Sequence, residues 1–507
     1  MRSGWDRVKL WLKPDLMGWL ILGLGVVLRL RQYLANRSFW HDEATLALNL
    51  VHRSFSGLTR PLDFAAAPVG FLFIEKFLMV LMGNRDYILR LFPLFSGLLA
   101  IYLVYLIARK QLGPAGLFAV LACAICWSLI YYSSELKQYS SDTLFALLLV
   151  YLSIPCLKES ARAKDFLLLG AAGLIAIWIS HPSVFVLAGI GLVLLFTKLA
   201  GKTDVPLAWI LGLGAAWAAA LGATYVVSLR HLVSDQSLQN YWRHGFMPLP
   251  PWRHLDWLAQ TYLALLEAAS RGAGHRFPTL IWTALLAIGI VSFLLRDRNT
   301  GLIIILPFFF VSVAAALQRY PLRGRLVLFL VPLLLLIAAE GLGRFFGLLS
   351  KGNRGLAMLA CGALIPIVLW TPVNSAVARF RWPVMADDIK PVMEYVQRNR
   401  QPDDVVYVYH GARPSFDYYA PFYGLDTGNV ITGPDRADAL ALKQFYNQVN
   451  RLRANNRVWF IFSHIVDCGG CSGDMEAFYI QYLDQLGTAV DHFQASHADV
   501  YLYNLNP

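Results

Sequence analysis

Two adjacent acidic residues, Asp42 and Glu43, follow the first long apolar segment of the chain. Carboxylates at the mouth of a membrane span are costly to remove from water, so this position indicates a function at the membrane surface. Such a pair can supply a general base with an orienting neighbour, provided that the substrate proton arrives at the membrane–water boundary. The alternative is structural, because acids in the first turn of a helix beginning near Ala44 would complement the helix dipole.

A second polar cluster, residues 131–142, connects two apolar segments and contains Glu135, Lys137, Tyr139 and Asp142. An acid and a base within one short connection indicate the wall of a cavity, and Asp142 leads directly into the next apolar segment. The alternative is a solvated turn whose tyrosines lie at the membrane interface, where aromatic residues are enriched.

Arginines form a third cluster at Arg319, Arg323 and Arg325, with Tyr320 beside the first of them. A guanidinium group binds two phosphate oxygens at once, so this cluster is a candidate for binding phosphate on the outer side of a membrane. The alternative is an ordinary basic loop that contacts anionic lipid headgroups.

Histidines that could bind a metal are sparse. His244 and His254 lie ten residues apart in a stretch containing tryptophan, and they would need an acid from elsewhere in the chain to complete a site. They are weak candidates. The sequence indicates no required cofactor and leaves a divalent metal open.

Two of the six cysteines, Cys468 and Cys471, are separated by two glycines in the C-terminal region. The glycines permit a tight turn, and in an oxidising compartment the two thiols would close a small disulfide loop. A redox or metal half-site is the alternative, but no second thiol pair supports it. The other four cysteines lie in or near apolar segments and are expected in the core: Cys123, Cys126, Cys156 and Cys361.

Composition defines the class of protein that must position these residues. The chain has 507 residues, of which 57% are hydrophobic and 15% charged, and its mean hydropathy is +0.50. Because a single soluble core stops growing at roughly 250–300 residues, this apolar content indicates a polytopic membrane protein. The net charge of +12 does not indicate nucleic-acid binding, since the basic residues fall in short loops between apolar segments.

Eleven apolar segments can each span a membrane. The basic clusters fall at every second connection, which places them and the N-terminus in the cytoplasm. Residues 68–83 are also apolar, but a crossing there would move every later basic cluster outside, so an interfacial or re-entrant helix is predicted. The first outer loop is then 35–87. The predicted spans are residues 16–34, 88–108, 113–131, 141–157, 165–180, 183–200, 206–229, 277–295, 300–317, 325–347 and 355–371.

The predicted transmembrane domain covers residues 1–371, and residues 372–507 form a predicted extracytoplasmic α/β domain. Helix patterns cover 386–399 and 435–455 in this second domain. Strand patterns lie at 405–409, 458–462 and 500–503. Strands that alternate with helices predict a mixed or parallel sheet covered by helices.

These motifs, in this order and on this membrane side, resemble the glycosyltransferase C superfamily. The resemblance is to its bacterial branch near protein O-mannosyltransferases and lipid A aminoarabinose transferases, similar to glycosyltransferase family 39. It rests on the acidic pair after the first span and on Arg90-Leu91-Phe92-Pro93. It also rests on residues 135–139, on the arginine cluster before residues 328–332, and on residues 403–408 and 418–419 of the C-terminal region.

The resemblance implies transfer of a sugar from a polyprenyl-phosphate donor to an extracytoplasmic lipid, lipopolysaccharide or glycan acceptor. It implies Asp42 as the base and Glu43 as an orienting or sugar-binding residue. Residues implied to bind the donor phosphate or sugar are Glu135, Lys137, Tyr139, Arg319, Tyr320, Arg323 and Arg325. The implied location is a bacterial inner membrane, with the N-terminus cytoplasmic and the C-terminus periplasmic.

The sequence departs from the resembled enzymes in two ways. Ala66-Ala67-Pro68 replaces the glutamate–lysine that precedes the loop proline of the aminoarabinose enzymes, so a phosphate or metal contact there is not carried over. The β-trefoil insertion of the mannosyltransferases is also missing, which favours a lipid or glycan acceptor over a protein. The sugar itself is not readable from the sequence.

Two other functions fit a polytopic chain with an outer domain. A transporter or flippase of lipid-linked sugars should carry buried charges and Gly/Pro breaks at mid-membrane, whereas the ionisable residues here gather at one face. A non-catalytic receptor or scaffold that displays the outer domain would tolerate loss of Asp42.

Overall fold

The computed structural model describes residues 14–271, 276–428, 430–434, 439–453, 457–465 and 475–505. The chain is a polytopic helical membrane protein with a small α/β domain at its C-terminal end. By length and composition, eight helices of the described part can cross a membrane: Asp15–Leu34, Leu91–Gln111, Tyr139–Cys156, Leu207–Ser234, Phe277–Arg296, Arg298–Ala316, Gly324–Ser350 and Arg354–Arg381.

The other three predicted spans form shorter helices, so the count of eleven stays a prediction. Two of them, Ala163–Ile179 and Ser183–Leu199, have 17 residues each. The third predicted span, 113–131, is broken into Gly116–Ile125 and Trp127–Tyr132.

The break lies at Cys126, whose backbone is extended (φ −62°, ψ 112°) and therefore leaves carbonyls of the preceding turn without helical partners. Arg29 of the first helix supplies donors to two of them. Its Nη2 donates to the carbonyl of Cys123 (3.1 Å) and its Nη1 to that of Ala124 (3.3 Å). All four cysteines predicted in the core are buried.

The connection after the first helix contains three short α-helices, His41–His52, Val69–Met82 and Asp86–Leu89, and a 3₁₀ turn at Gly57–Thr59. The helix Val69–Met82 covers the segment predicted to be interfacial or re-entrant, and it is too short to be counted among the spanning helices. The spanning helix Leu207–Ser234 contains a π-helical stretch at Tyr225–Leu229, and the short helices Gln236–Tyr241 and Leu255–Ser270 follow it.

The C-terminal domain is built on a five-stranded mixed sheet with strand order β2-β1-β3-β5-β4. The parallel strands are β1 (Val405–Val408), β2 (Ile431–Thr432) and β3 (Val458–Ser463). Strands β4 (Thr488–Ala495) and β5 (Ala498–Asn504) extend the sheet in antiparallel pairing. The helices of this domain are Ile389–Asn399, Arg413–Tyr419, Ala439–Leu452 and Met475–Leu486.

Candidate active site

The N-terminal turn of the helix His41–His52 places the two acids on different sides of the helix. Trp40 precedes the helix in extended conformation, and Asp42 and Glu43 occupy its first turn, as the structural interpretation of the pair expects. Glu43 is fully buried, whereas the side chain of Asp42 is 26% exposed. The two carboxylates therefore have different surroundings.

Asp42 forms an ion pair with Arg325. Burial raises the pKa of Asp42, but the nearby charges of Lys137 and Arg325 outweigh this effect, so its pKa lies below the ordinary value. The guanidinium group of Arg325 also lies over the rings of Trp40, at 5.0 Å, and Tyr139, at 5.6 Å. These contacts hold the arginine beside the carboxylate.

Glu43 accepts four hydrogen bonds inside the protein. Arg37 Nη1 donates at 2.6 Å, and Arg90 donates through Nε (2.9 Å) and Nη2 (2.8 Å). The backbone N–H of Leu136 donates at 2.7 Å. Burial raises the pKa of Glu43, but the charges of Arg37 and Arg90 outweigh it and hold the pKa below its usual value.

Residues 133–138 bring Glu135 and Lys137 close to Asp42 and Glu43. Lys137 is buried, and its pKa is lowered, first by burial and then by the charge of Arg325, against the opposing effect of Asp42. Burial and the neighbouring Glu43 raise the pKa of Glu135 to about 7. Neither carboxylate oxygen of Glu135 has a hydrogen-bond partner among the described residues, although Arg37 Nη2 lies 3.8 Å away.

The arginine segment is turned at Gly324, whose φ of +59° favours glycine. Arg325 then points to Asp42, whereas Arg319 and Arg323 are exposed and are not brought into this cluster. Tyr320 donates a hydrogen bond to the carbonyl of Leu326 (2.8 Å) and so braces the segment.

The predicted metal and disulfide candidates lie away from these groups or outside the described residues. His244 is exposed and accepts from Arg243 Nε at 3.0 Å; His254 is half-buried. Within the described ranges, no group of three or more His, Cys, Asp or Glu residues could hold a metal ion. Cys468 and Cys471 lie outside the described residues.

The C-terminal domain is bonded directly to the segment that carries the acids. The backbone N–H of Ser38 donates to Asp388 at 3.1 Å, and that of Phe39 donates to the hydroxyl of Tyr419 at 2.8 Å. Asp86 completes the junction by accepting from Tyr419 and from Lys390, each at 2.8 Å. The position of Asp42 is therefore fixed from both domains.

Comparisons with known proteins show which fold this architecture belongs to. The profile of the dolichyl-phosphate-mannose-protein mannosyltransferase family matches residues 65–223. The crystal structure of apo ArnT from Cupriavidus metallidurans superposes with a TM-score of 0.51 at 15% identity, covering 96% of this chain and 98% of ArnT. The chain has the glycosyltransferase C fold. The resemblance predicted from the sequence is confirmed at this level.

Two further enzymes share the glycosyltransferase C fold with this chain. An Archaeoglobus fulgidus oligosaccharyltransferase aligns with a TM-score of 0.53 at 9% identity, over 88% of this chain and 69% of that enzyme. The mycobacterial arabinofuranosyltransferase AftD aligns with a TM-score of 0.51 at 13% identity, over 98% of this chain and 40% of AftD. No curated protein sequence matched the chain.

Sequence reasoning did not assign a role to Arg37. It also assigned none to His464 and Asp387 of the C-terminal domain, whose side chains are bonded to each other at 3.0 Å. Arg37 lies six residues before Glu43, a separation that gives no sign of pairing before the loop is folded. His464 follows the end of β3, so its position at the carboxyl end of a predicted buried strand was the available signal.

Proposed function

We propose that this protein transfers a sugar from a polyprenyl-phosphate donor to a hydroxyl group of an extracytoplasmic acceptor. The observation that carries the proposal is the meeting of Asp42, Lys137 and Arg325, which come from three distant motifs and combine one anionic base with two cations. The match to a mannosyltransferase family supports transferase chemistry. A second ArnT structure, with a TM-score of 0.50, contains undecaprenyl phosphate, which supports a polyprenyl carrier.

The cations suit the phosphate of the donor. Four cationic side chains, Arg37, Arg90, Lys137 and Arg325, lie around the two ionised acids, Asp42 and Glu43. Arg37 and Arg90 are committed to Glu43, which leaves Lys137 and Arg325 to stabilise the charge that develops on the leaving phosphate. Arginine does this with paired hydrogen bonds, and lysine does it as a point charge.

Donor binding would also activate the base. While Asp42 is paired with Arg325, its lowered pKa makes it a weak proton acceptor. A phosphate group that binds Lys137 and Arg325 weakens the effect of both cations that lower this pKa. The pKa of Asp42 then rises toward its ordinary value when the donor is in place.

In the proposed step, Asp42 accepts the proton of the acceptor hydroxyl while the hydroxyl oxygen attacks the anomeric carbon of the sugar. A new glycosidic C–O bond forms. The bond between the anomeric carbon and the phosphate oxygen breaks, and the polyprenyl phosphate leaves with the bonding electron pair. Phosphate is a good leaving group, so protonation by a strong acid is not required.

Of the two roles that the resemblance implies for Glu43, orienting and sugar binding, its contacts fit the orienting role. Its bonds to Arg37, Arg90 and the backbone of Leu136 are all internal. We assign Glu43 as a positioning residue that fixes the helix carrying Asp42.

The proposed location is a bacterial plasma membrane, with the N-terminus in the cytoplasm and the α/β domain in the periplasm. The alternation of basic connections supports this orientation. The proposed acceptors are a lipid, lipopolysaccharide or glycan, which the missing trefoil insertion favours over a protein.

The test compares Asp42→Asn with wild type, using purified protein and an undecaprenyl-phosphate sugar as donor. Transfer per folded molecule should fall about 10²–10⁴-fold, the usual contribution of a positioned acid–base group. Undecaprenyl phosphate binding should be retained, because Lys137 and Arg325 are unchanged.

The matched control is Asp63→Asn, which removes a 75% exposed carboxylate of the same connection. Within the described ranges, the ion pair of Asp63 is with Arg53, at 2.7 Å. Its transfer rate should match wild type. Near-normal transfer by Asp42→Asn would falsify the assignment of the base and favour the receptor alternative.

A further inference from the structure

The carboxyl ends of the parallel strands of the C-terminal sheet lie against the turn that carries Asp42. The Nδ1–H of His41 donates to the carbonyl of Gly411, just after β1, at 3.1 Å. The ring of His41 stacks on the ring of His464, just after β3, with centroids 4.9 Å apart and planes 24° from parallel. His41 is thus in contact with both strand ends.

These two strand ends are the switch point of the sheet. Strand β1 lies between β2 and β3, so the chain leaves β1 toward one neighbour and returns on its other side. Ligands of open α/β sheets bind outside the carboxyl ends of the strands at such a point. In this protein the switch point contacts His41, in the helical turn that carries the proposed catalytic residue.

Three rings line this place, and we name them the aromatic wall: Trp40, His41 and His464. The ring centroids of Trp40 and His464 are 5.7 Å apart. Arg325 lies over Trp40, so the wall is continuous with the Asp42–Arg325 pair. The buried Nε1 of Trp40 has no hydrogen-bond partner among the described residues, which leaves a donor at the wall.

The imidazole of His464 and the carboxylate of Asp387 lie at the side of the wall formed by the C-terminal domain. His464 Nδ1 bonds to Asp387 Oδ2 at 3.0 Å, and their side chains are 33% and 16% exposed. Both residues have left-handed backbones, with φ of 51° at His464 and 49° at Asp387. Non-glycine residues in this conformation are uncommon, and they cluster at functional sites.

We infer that the aromatic wall, with the His464–Asp387 pair, is the acceptor subsite, and that its ligand is a sugar ring with free hydroxyl groups. This inference rests on the proposed function. Flat rings offer a face to the C–H side of a sugar, and the imidazole, carboxylate and indole N–H offer partners to its hydroxyls. A sugar ring held here lies beside the Asp42–Arg325 pair, because Arg325 lies over Trp40 of the wall.

The test uses His464→Asn and Asp387→Asn, because asparagine tolerates the left-handed backbone at both positions. The full-length protein is assayed with an undecaprenyl-phosphate sugar and the glycolipid fraction of a strain lacking this gene. We expect the half-saturating concentration of that fraction to rise at least tenfold. Donor affinity and slow hydrolysis of the donor by water should stay within twofold of wild type.

The matched control is His492→Asn. It removes another histidine–aspartate contact of the same domain, His492 with Asp499 at 3.1 Å. His492 lies on β4, which β5 separates from β3. Its acceptor dependence should equal that of wild type.

Two outcomes overturn the inference, and they are distinguishable. If both wall variants retain the wild-type acceptor dependence while wild type transfers sugar, the subsite is wrong and the proposed function stands. If wild type neither transfers nor hydrolyses the donor, the proposed function fails, and the inference fails with it.

Discussion

Replacing Glu43 by Gln removes the negative charge from the most heavily bonded side chain of the site. The wild-type carboxylate accepts from Arg37, twice from Arg90 and from the N–H of Leu136, at 2.6 to 2.9 Å. The amide oxygen of glutamine can accept two of these bonds, but its NH₂ group would face guanidinium donors. Two buried cations would therefore lose their counter-charge.

The expected loss of stability follows from that bond count. Hydrogen bonds to charged groups contribute about 1.5–3 kcal/mol each, and breaking a buried ion pair on one side costs about 3–5 kcal/mol. We therefore expect about 3–5 kcal/mol for Glu43→Gln. Unfolding entropies of about 2.1 cal/mol/K per residue convert this to a Tm about 3–5 °C lower for a chain of this length.

The assay is thermal unfolding of the purified proteins followed by tryptophan fluorescence. Asp42→Asn serves as the adjacent comparison, because Asp42 is partly exposed and has the single partner Arg325 among its ion pairs in the described part. Glu394→Gln, which affects an exposed pair on the helix Ile389–Asn399, should leave Tm unchanged. The reasoning is refuted if Glu43→Gln unfolds with wild-type Tm, or if Asp42→Asn is the less stable variant.

Two further predictions concern the charges around Asp42. The pKa of Glu135 is raised from 4.5 in the unfolded chain to about 7 in the folded protein. Between these two pH values the folded state binds one more proton than the unfolded state, so the free energy of unfolding decreases as pH rises through this window. Glu135→Gln should therefore unfold at a higher temperature than wild type at pH 8 and lose that advantage at pH 4.5; equal differences at both pH values would contradict this. Arg325→Lys, which loses the paired guanidinium donors, should bind undecaprenyl phosphate about 10-fold more weakly than wild type. The control Arg398→Lys, at an exposed position, should bind like wild type. Unchanged binding by Arg325→Lys would exclude that arginine from the phosphate site.

Much of the fold could be predicted from the apolar pattern. Strands β1 and β3 are continuous apolar runs, and both were predicted close to their observed bounds. Strand β4, Thr488–Ala495, was missed because its polar residues leave no apolar run, and its strand conformation depends on antiparallel pairing with β5. The broken helix at Cys126 was also missed, since the donor that stabilises it comes from Arg29, far away in the chain.

The candidate site was predicted as residue types and motifs, but not as contacts. Asp42, Lys137 and Arg325 were each named from local sequence, and the structure brings them together. The choice among the three arginines could not be read from spacing, because the left-handed turn at Gly324 decides which side chain points inward. The aromatic wall depends on how the C-terminal sheet packs on His41, which is a tertiary contact.

The adjacent acids have different roles because successive helix positions are rotated by about 100°. When Glu43 faces Arg37 and Arg90 inside the protein, Asp42 must face the partly exposed side that contains Arg325. Glu43 also binds the backbone N–H of Leu136, the residue before Lys137. The buried acid thereby fixes the position of the exposed acid relative to the lysine of the proposed phosphate site. Exchanging the two residue types would change both side-chain lengths at once, so the order Asp42-Glu43 follows from the geometry and not from charge alone.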